Sequence, residues 1–200
     1  MIKAIIFDLN GIFIQSPKLS ERFAEKFGVP IDDFLPVLKE IMDLARQKLV
    51  KDSFYLWYPY LENWNVYLTK AQFFDFWFEA EKEVPEIVEL VRSIKEKGIK
   101  IFILSNNFPE RSAYYKQAFP FLDEIFDKVY YSWQTGFVKP NPKAYKNVLQ
   151  ENKLKAKECL YFDDSQSNIE TANRLGINSF LYTGLNSLEE ALEKYEEINI

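Results

Sequence analysis

"IIFDLNGIF", residues 5–13, decides the fold. Ile5, Ile6 and Phe7 run without a polar break into Asp8, and Gly11 follows three positions later. A near-continuous apolar run suits a strand of a parallel sheet that is covered on both faces. Asp8 then stands at the carboxyl end of that strand, and Gly11 lets the chain turn tightly beneath it. Two residues beyond Asp8 lies Asn10, an amide where a second acid would be useful.

The same pattern recurs. With "KAIIFDL" (3–9), the runs "IKIFILS" (99–105), "ECLYFDD" (158–164) and "INSFLYT" (177–183) read as buried strands, and "DKVYYS" (127–132) as a weaker one. Helical patterns separate them. "VPEIVELVRSIKEKG" carries Pro85 near its first turn, apolar residues at Ile87, Val88, Val91 and Ile94, and Gly98 as a stop. "NPKAYKNVLQEN" offers Asn141 as N-cap and Pro142 at the first helical position, and "SQSNIETANRLG" ends at Gly176. Strands alternating with helices imply an α/β fold, a Rossmann-like doubly wound parallel sheet.

Residues 16–84 break the rhythm and read as helices only, over 18–27, 31–50 and 69–82, with a Tyr/Trp-rich link between and Thr69 as a plausible N-cap. The expected organisation is an α/β core formed by 1–15 and 85–200, with an inserted all-helical domain at 16–84. Most of the aromatics between Phe54 and Phe78 are expected to fill that small domain's own core. The sharper expectation is that one or two of Tyr55, Trp57, Tyr58 and Tyr60 face a cleft and stack on a substrate.

Composition removes whole classes of chemistry. The 200-residue chain has no histidine, so neither a Ser-His-Asp system nor a His-ligated zinc or iron site can be built. Its single cysteine forms no intramolecular disulfide, which fits a reducing compartment. With 25 basic and 30 acidic residues, a net charge of -5 argues against a general nucleic-acid or membrane surface. No signal-peptide pattern and no apolar run near 18 residues is present, so a cytoplasmic protein, monomer or homodimer, is expected.

Polar residues gather where strands end: Asp8, then Ser105 with Asn106, then Asp163 with Asp164. Each alone reads equally well as a turn or cap residue, and Lys139 as a solvated loop lysine. Together they converge on the carboxyl rim of the sheet, where open α/β folds bind ligands. Three carboxylates at one rim raise each other's pKa unless a cation sits among them, and oxygen ligands point to Mg²⁺. Asp8 could then attack phosphorus, with Ser105, Asn106 and Lys139 holding the phosphoryl oxygens.

The segments "FDLNGIF", "ILSNN", "GFVKPNPKAY" and "YFDDSQSNIETANRLGI" resemble the four ordered motifs of the haloacid dehalogenase superfamily. They are most similar to the subgroup of glucose-1-phosphate phosphatases and the N-terminal phosphatase domain of soluble epoxide hydrolase. The resemblance implies a Mg²⁺-dependent hydrolase of small phosphorylated metabolites, sugar phosphates among them, working through an aspartyl phosphate. It implies Asp8 as nucleophile, Ser105 and Asn106 as phosphate ligands and Lys139 as the charge-neutralising group. Asp8, Asn10, Asp163 and Asp164 would hold the metal, Asn10 through its backbone carbonyl, and 16–84 would be a helical cap. Asn10 departs from the family's usual acid/base Asp, and that leaves two alternatives in view: a 2-haloacid dehalogenase, or a non-catalytic phosphate-ligand or partner binder.

Overall fold

Alternate residues of a strand face opposite sides of its sheet, so a strand buried on both faces has no polar phase to show. The computed structural model, which describes residues 1–195 and Ile198, has that arrangement in its first strand, β1 (Ala4–Phe7), where every residue is buried. Ile5 and Phe7 enter one apolar cluster, Ala4 and Ile6 another on the opposite face.

In chain order there follow β2 (Ile14–Gln15), α1 (Leu19–Phe27), α2 (Ile31–Ala45), α3 (Phe54–Asn63), α4 (Lys70–Phe78), β3 (Lys82–Glu83) and α5 (Pro85–Glu96). The second half contains β4 (Lys100–Ser105), α6 (Pro109–Ala118), α7 (Phe121–Ile125), β5 (Lys128–Tyr131), α8 (Ser132–Thr135), α9 (Pro142–Glu151), β6 (Cys159–Asp163), α10 (Gln166–Arg174), β7 (Asn178–Leu181) and α11 (Leu185–Leu192). Five strands form one parallel sheet in the order β5-β4-β1-β6-β7. Residues from α5, α7 and α11 cover one face, and residues from α9 and α10 the other. The sheet is therefore doubly wound, and the chain reverses its direction of travel across the sheet beside β1. Asn141 caps α9 as expected, its side chain accepting from the Lys143 amide, and Thr69 forms a capping box with Gln72 on α4.

The helical segment holds details that periodicity did not show. The second helix stops at Ala45 rather than reaching residue 50, and the aromatic link is itself a helix, α3, with Pro59 inside it. A two-stranded antiparallel ribbon, β2 with β3, ties the two ends of the segment together. Helices α1 to α4 share a cluster built on Phe23, Phe34, Trp57, Phe73 and Trp77, and Phe108 of the sheet-bearing part enters it, 5.3 Å from the Trp77 ring.

That packing answers the question of the cap aromatics. Trp57 is fully buried, stacked on Phe34 at 5.5 Å and edge-on to Trp77 at 5.8 Å. Tyr55 and Tyr58 lie on the outer surface, and the Tyr60 hydroxyl donates to Glu40 at 3.1 Å. None of the four lines the cavity at the strand ends. The expected aromatic platform is thus replaced by a self-contained core, because interlocking rings bury far more apolar surface together than one ring facing a cleft. Trp57→Ala is accordingly expected to lower unfolding free energy by about 3–5 kcal/mol in urea titrations.

Candidate functional site

Parallel pairing puts the ends of β1, β4 and β6 on one rim. Phe7 pairs with Ile103 and with Phe162, and the Asp8 amide donates to the Phe162 carbonyl at 2.8 Å, continuing the ladder one residue further. Asp8 and Asp163 thereby become neighbours. Between them sits Lys139, buried, with its Nζ 2.8 Å from Asp8 Oδ1 and 2.7 Å from Asp163 Oδ2.

The loop that presents Lys139 is held by one side chain. Asn106 Nδ2 donates to the Lys139 carbonyl at 2.9 Å, and its Oδ1 accepts from the Lys139 amide at 2.8 Å. Both ends of the Asn106 amide are thus satisfied by the Lys139 backbone. Ser105 ends β4 just behind, with its hydroxyl buried and lacking a partner among the described residues. Asp163 is saturated: besides Lys139 it accepts from the Tyr161 hydroxyl, the Ser165 amide at 2.8 Å, and Asn168 Nδ2 at 2.9 and 3.0 Å. A carboxylate with so many donors has its orientation fixed and serves as an anchor for the lysine.

Asp164 lies on the outer side of this group. Ligand oxygens of Asp8, Asp163 and Asp164 all fall within 4.8 Å of one another. Gly11 makes that closeness possible. Its φ is +90°, and a Cβ there would stand 2.4 Å from Asp164 Oδ2. Burial, with the nearby Asp163 charge adding to it, raises the Asp164 carboxyl above its ordinary range. Burial pushes Asp8 up to about 6, although Lys139 pulls the other way. Burial alone would discharge Lys139, but Asp8 and Asp163 hold its pKa above the usual value. The cluster therefore carries excess negative charge in a site made of hard oxygen donors, which suits Mg²⁺. Asp8 and Asp164 have oxygens to offer it, whereas those of Asp163 are already engaged.

A cavity of about 270 Å³ opens on this rim, lined in part by Asp8, Asn10, Asn106, Lys139, Ser165 and Asn168. Asn10 points away from proton chemistry: its Nδ2 donates to the Tyr115 hydroxyl at 2.5 Å. Tyr115 is buried, and burial drives its phenol far above the ordinary pKa. Arg111 lies over its ring at 5.4 Å and pairs with the buried Glu81 at 2.6 Å.

Sequence reasoning passed over Glu81, Arg111 and Tyr115, and also Arg46, which enters the cavity from the end of α2. The one usable signal was the i, i+4 spacing of Arg111 and Tyr115 on the helix after "ILSNN". Arg46 carries no signal, since nothing local marks which lysine or arginine of a cap helix turns toward the core.

Residues 2–176 match the family model described as haloacid dehalogenase-like hydrolase. A phosphorylated carbohydrates phosphatase of Thermotoga maritima is 29% identical over 98% of this chain and 96% of its own length. Bifunctional epoxide hydrolase 2 of Sus scrofa is 23% identical over 100% of this chain, which spans only 40% of that protein. A haloacid dehalogenase family enzyme of Bacteroides thetaiotaomicron, solved with magnesium and inorganic phosphate, superposes with a TM-score of 0.78 at 24% identity, covering 90% of this chain and 94% of its own.

Two outcomes follow from the electrostatics. Gly11→Ala should displace the Asp164 carboxylate and weaken Mg²⁺ binding by about tenfold or more in calorimetry, with the far-ultraviolet circular dichroism spectrum retained. The raised Asp8 pKa means that the folded protein binds a proton more readily than the unfolded chain between the ordinary 3.8 and about 6, so this group's contribution to stability falls as pH rises through that window. A bound cation reverses the effect by favouring the carboxylate. The rise in melting temperature on adding Mg²⁺ is therefore expected to be larger at about pH 7.5 than at about pH 5, and equal shifts would exclude a cation beside Asp8.

Proposed function

The chain belongs to the haloacid dehalogenase-like hydrolase family, and from that membership we propose a Mg²⁺-dependent phosphatase of small phosphate monoesters that works through an aspartyl phosphate. The observation that carries the reading is Lys139 fixed between Asp8 and Asp163, with Asp164 in the same group at the carboxyl rim of the sheet. The Thermotoga relative, named for phosphorylated carbohydrates, supports such a substrate class. Residues 1–15 and 85–200 form the core in this proposal, and 16–84 the cap; 196, 197, 199 and 200 lie outside the described residues.

Asp8, Asp164 and the Asn10 carbonyl would hold the Mg²⁺, with Asp163 as a supporting carboxylate. When bound, the ion supplies charge neutralisation for a phosphoryl group beside Asp8. In the first step Asp8 attacks phosphorus, and the ester oxygen leaves with a proton drawn from water. In the second, water attacks the aspartyl phosphate, which releases inorganic phosphate and returns the Asp8 carboxylate. Lys139 steadies the phosphoryl oxygens, and the unpartnered Ser105 hydroxyl is a donor in reserve at the strand end. The cap over the rim limits bulk water during chemistry.

Asn10 sets the speed. A general acid/base at that position typically contributes 10²–10⁴-fold, about 3–5 kcal/mol of barrier. Asn10 keeps the backbone carbonyl but transfers no proton, and its amide is committed to Tyr115. A dehalogenase is disfavoured because that chemistry needs no metal, and three clustered carboxylates without one repel.

The decisive assay is phosphate release from p-nitrophenyl phosphate with and without Mg²⁺. Wild type should show slow, Mg²⁺-dependent turnover, Asp8→Asn should abolish it, and Asn10→Asp should raise it about tenfold or more. Absence of turnover in wild type together with its appearance in Asn10→Asp would sink the native-phosphatase reading in favour of a phosphate-ligand binder.

A further inference from the structure

Among the described residues, one cation lining the rim cavity forms no ion pair. Arg46 lines the cavity with Asp8, Asn10, Lys139 and Arg111, reaching it from the helical segment while the other four come from the sheet side. Three other arginines are matched to acids, Arg22 to Glu79 at 3.0 Å, Arg92 to Glu124 at 3.1 Å and Arg111 to Glu81 at 2.6 Å, and Arg174 donates to the Thr171 hydroxyl at 2.7 Å. Arg46 has no salt bridge among the described residues, and its Nε is buried without a hydrogen-bond partner. Arg111 Nε is buried in the same unpartnered state. A desolvated guanidinium with an open donor is costly unless an anion completes it. Burial and the neighbouring Arg111 charge depress the Arg46 pKa, and the charges of Asp43 and Asp8 offset this only in part.

Asp8 acts on Arg46 only through its charge, and its ion pair is with Lys139. Asp43, one turn back on α2, is exposed to solvent. No aromatic ring lines the cavity to receive a sugar face. Arg46 and Arg111 thus each bring a guanidinium group with a buried, unpartnered Nε to the cavity lining, and the planar fork of that group matches carboxylate and phosphate oxygens.

We propose that Arg46, with Arg111 beside it, forms a subsite for a second anionic group of the substrate, so that the preferred substrates are small phosphate monoesters bearing a carboxylate or a second phosphate. The assignment rests on the phosphatase reading and narrows its substrate class. The first acidic group is the phosphoryl group facing Asp8 and Lys139. The second lies against the cap, which makes Arg46 a specificity-determining residue and binding of the right substrate a force drawing the cap onto the core.

The test compares kcat/KM at saturating Mg²⁺ for 2-phosphoglycolate and fructose 1,6-bisphosphate against glycerol 3-phosphate, in wild type, Arg46→Gln and Arg46→Lys. Wild type should favour at least one of the two doubly acidic esters by about tenfold or more, and which one identifies the second group as carboxylate or phosphate. Arg46→Gln should remove most of that preference, chiefly through KM, and Arg46→Lys should restore part of it. Equal loss on all three esters would overturn the proposal, placing Arg46 on the transferred phosphoryl group instead. No preference in wild type would overturn it as well. If none of the esters is turned over, the phosphatase reading fails separately, and calorimetric binding of 2-phosphoglycolate against glycerol 3-phosphate to the wild-type protein decides the subsite: tighter binding of the first, lost in Arg46→Gln, supports it, and equal binding overturns it.

Discussion

The rest of the site depends on one ammonium group between two carboxylates. Lys139 touches both Asp8 and Asp163, and it is almost completely buried. Without it, two negative groups would face each other in a poorly solvated rim, and one would take up a proton. With it, Asp8 stays oriented and Asp163 has its charge balanced. Everything around the lysine serves that placement. Asn106 grips its backbone from the end of β4, and Asn168 and Ser165 fix Asp163 from the start of α10. Three strand ends and two loops are therefore coupled through one Nζ.

The pair is balanced, but the rim is not. Asp164 adds a further carboxylate within reach of Asp8, brought close by the missing Cβ of Gly11. A divalent cation offsets that surplus, and a phosphoryl group then offsets the cation. Arg46, from the end of α2, brings to the same cavity a positive charge with no ion pair among the described residues. On the proposed reading, the cavity is polarised from a metal-binding side to an anion-binding side. Its two walls belong to the sheet and to the inserted helices, whose contact is maintained by Phe108 among Trp77, Phe74 and Phe78.

Asn10 fits the same logic. An aspartate there would add one more negative charge beside Asp8 and Asp164. The amide instead donates to a buried phenol whose neighbours are the Arg111–Glu81 pair. In the proposed reaction, local order is gained at the place where proton transfer is given up. Tyr115 is too weak an acid, in its buried setting, to take over that role directly.

The parallel α/β core, the run of Asp8, Ser105, Asn106, Lys139, Asp163 and Asp164 toward one rim, and the family are all legible in the order of residues. They are legible because strands buried on both faces leave continuous apolar runs, and because the residue that follows such a run must emerge at the sheet edge. It takes the folded chain to show which aromatics fill the core of the helical segment, that Phe54–Asn63 is helical despite Pro59, and that Arg46, Glu81, Arg111 and Tyr115 meet beside Asn10. Those four come from separate segments, and their meeting depends on how the helical insertion settles against α6. That docking is a sum of ring contacts and buried charges between residues distant in the chain, and no local period or spacing records it.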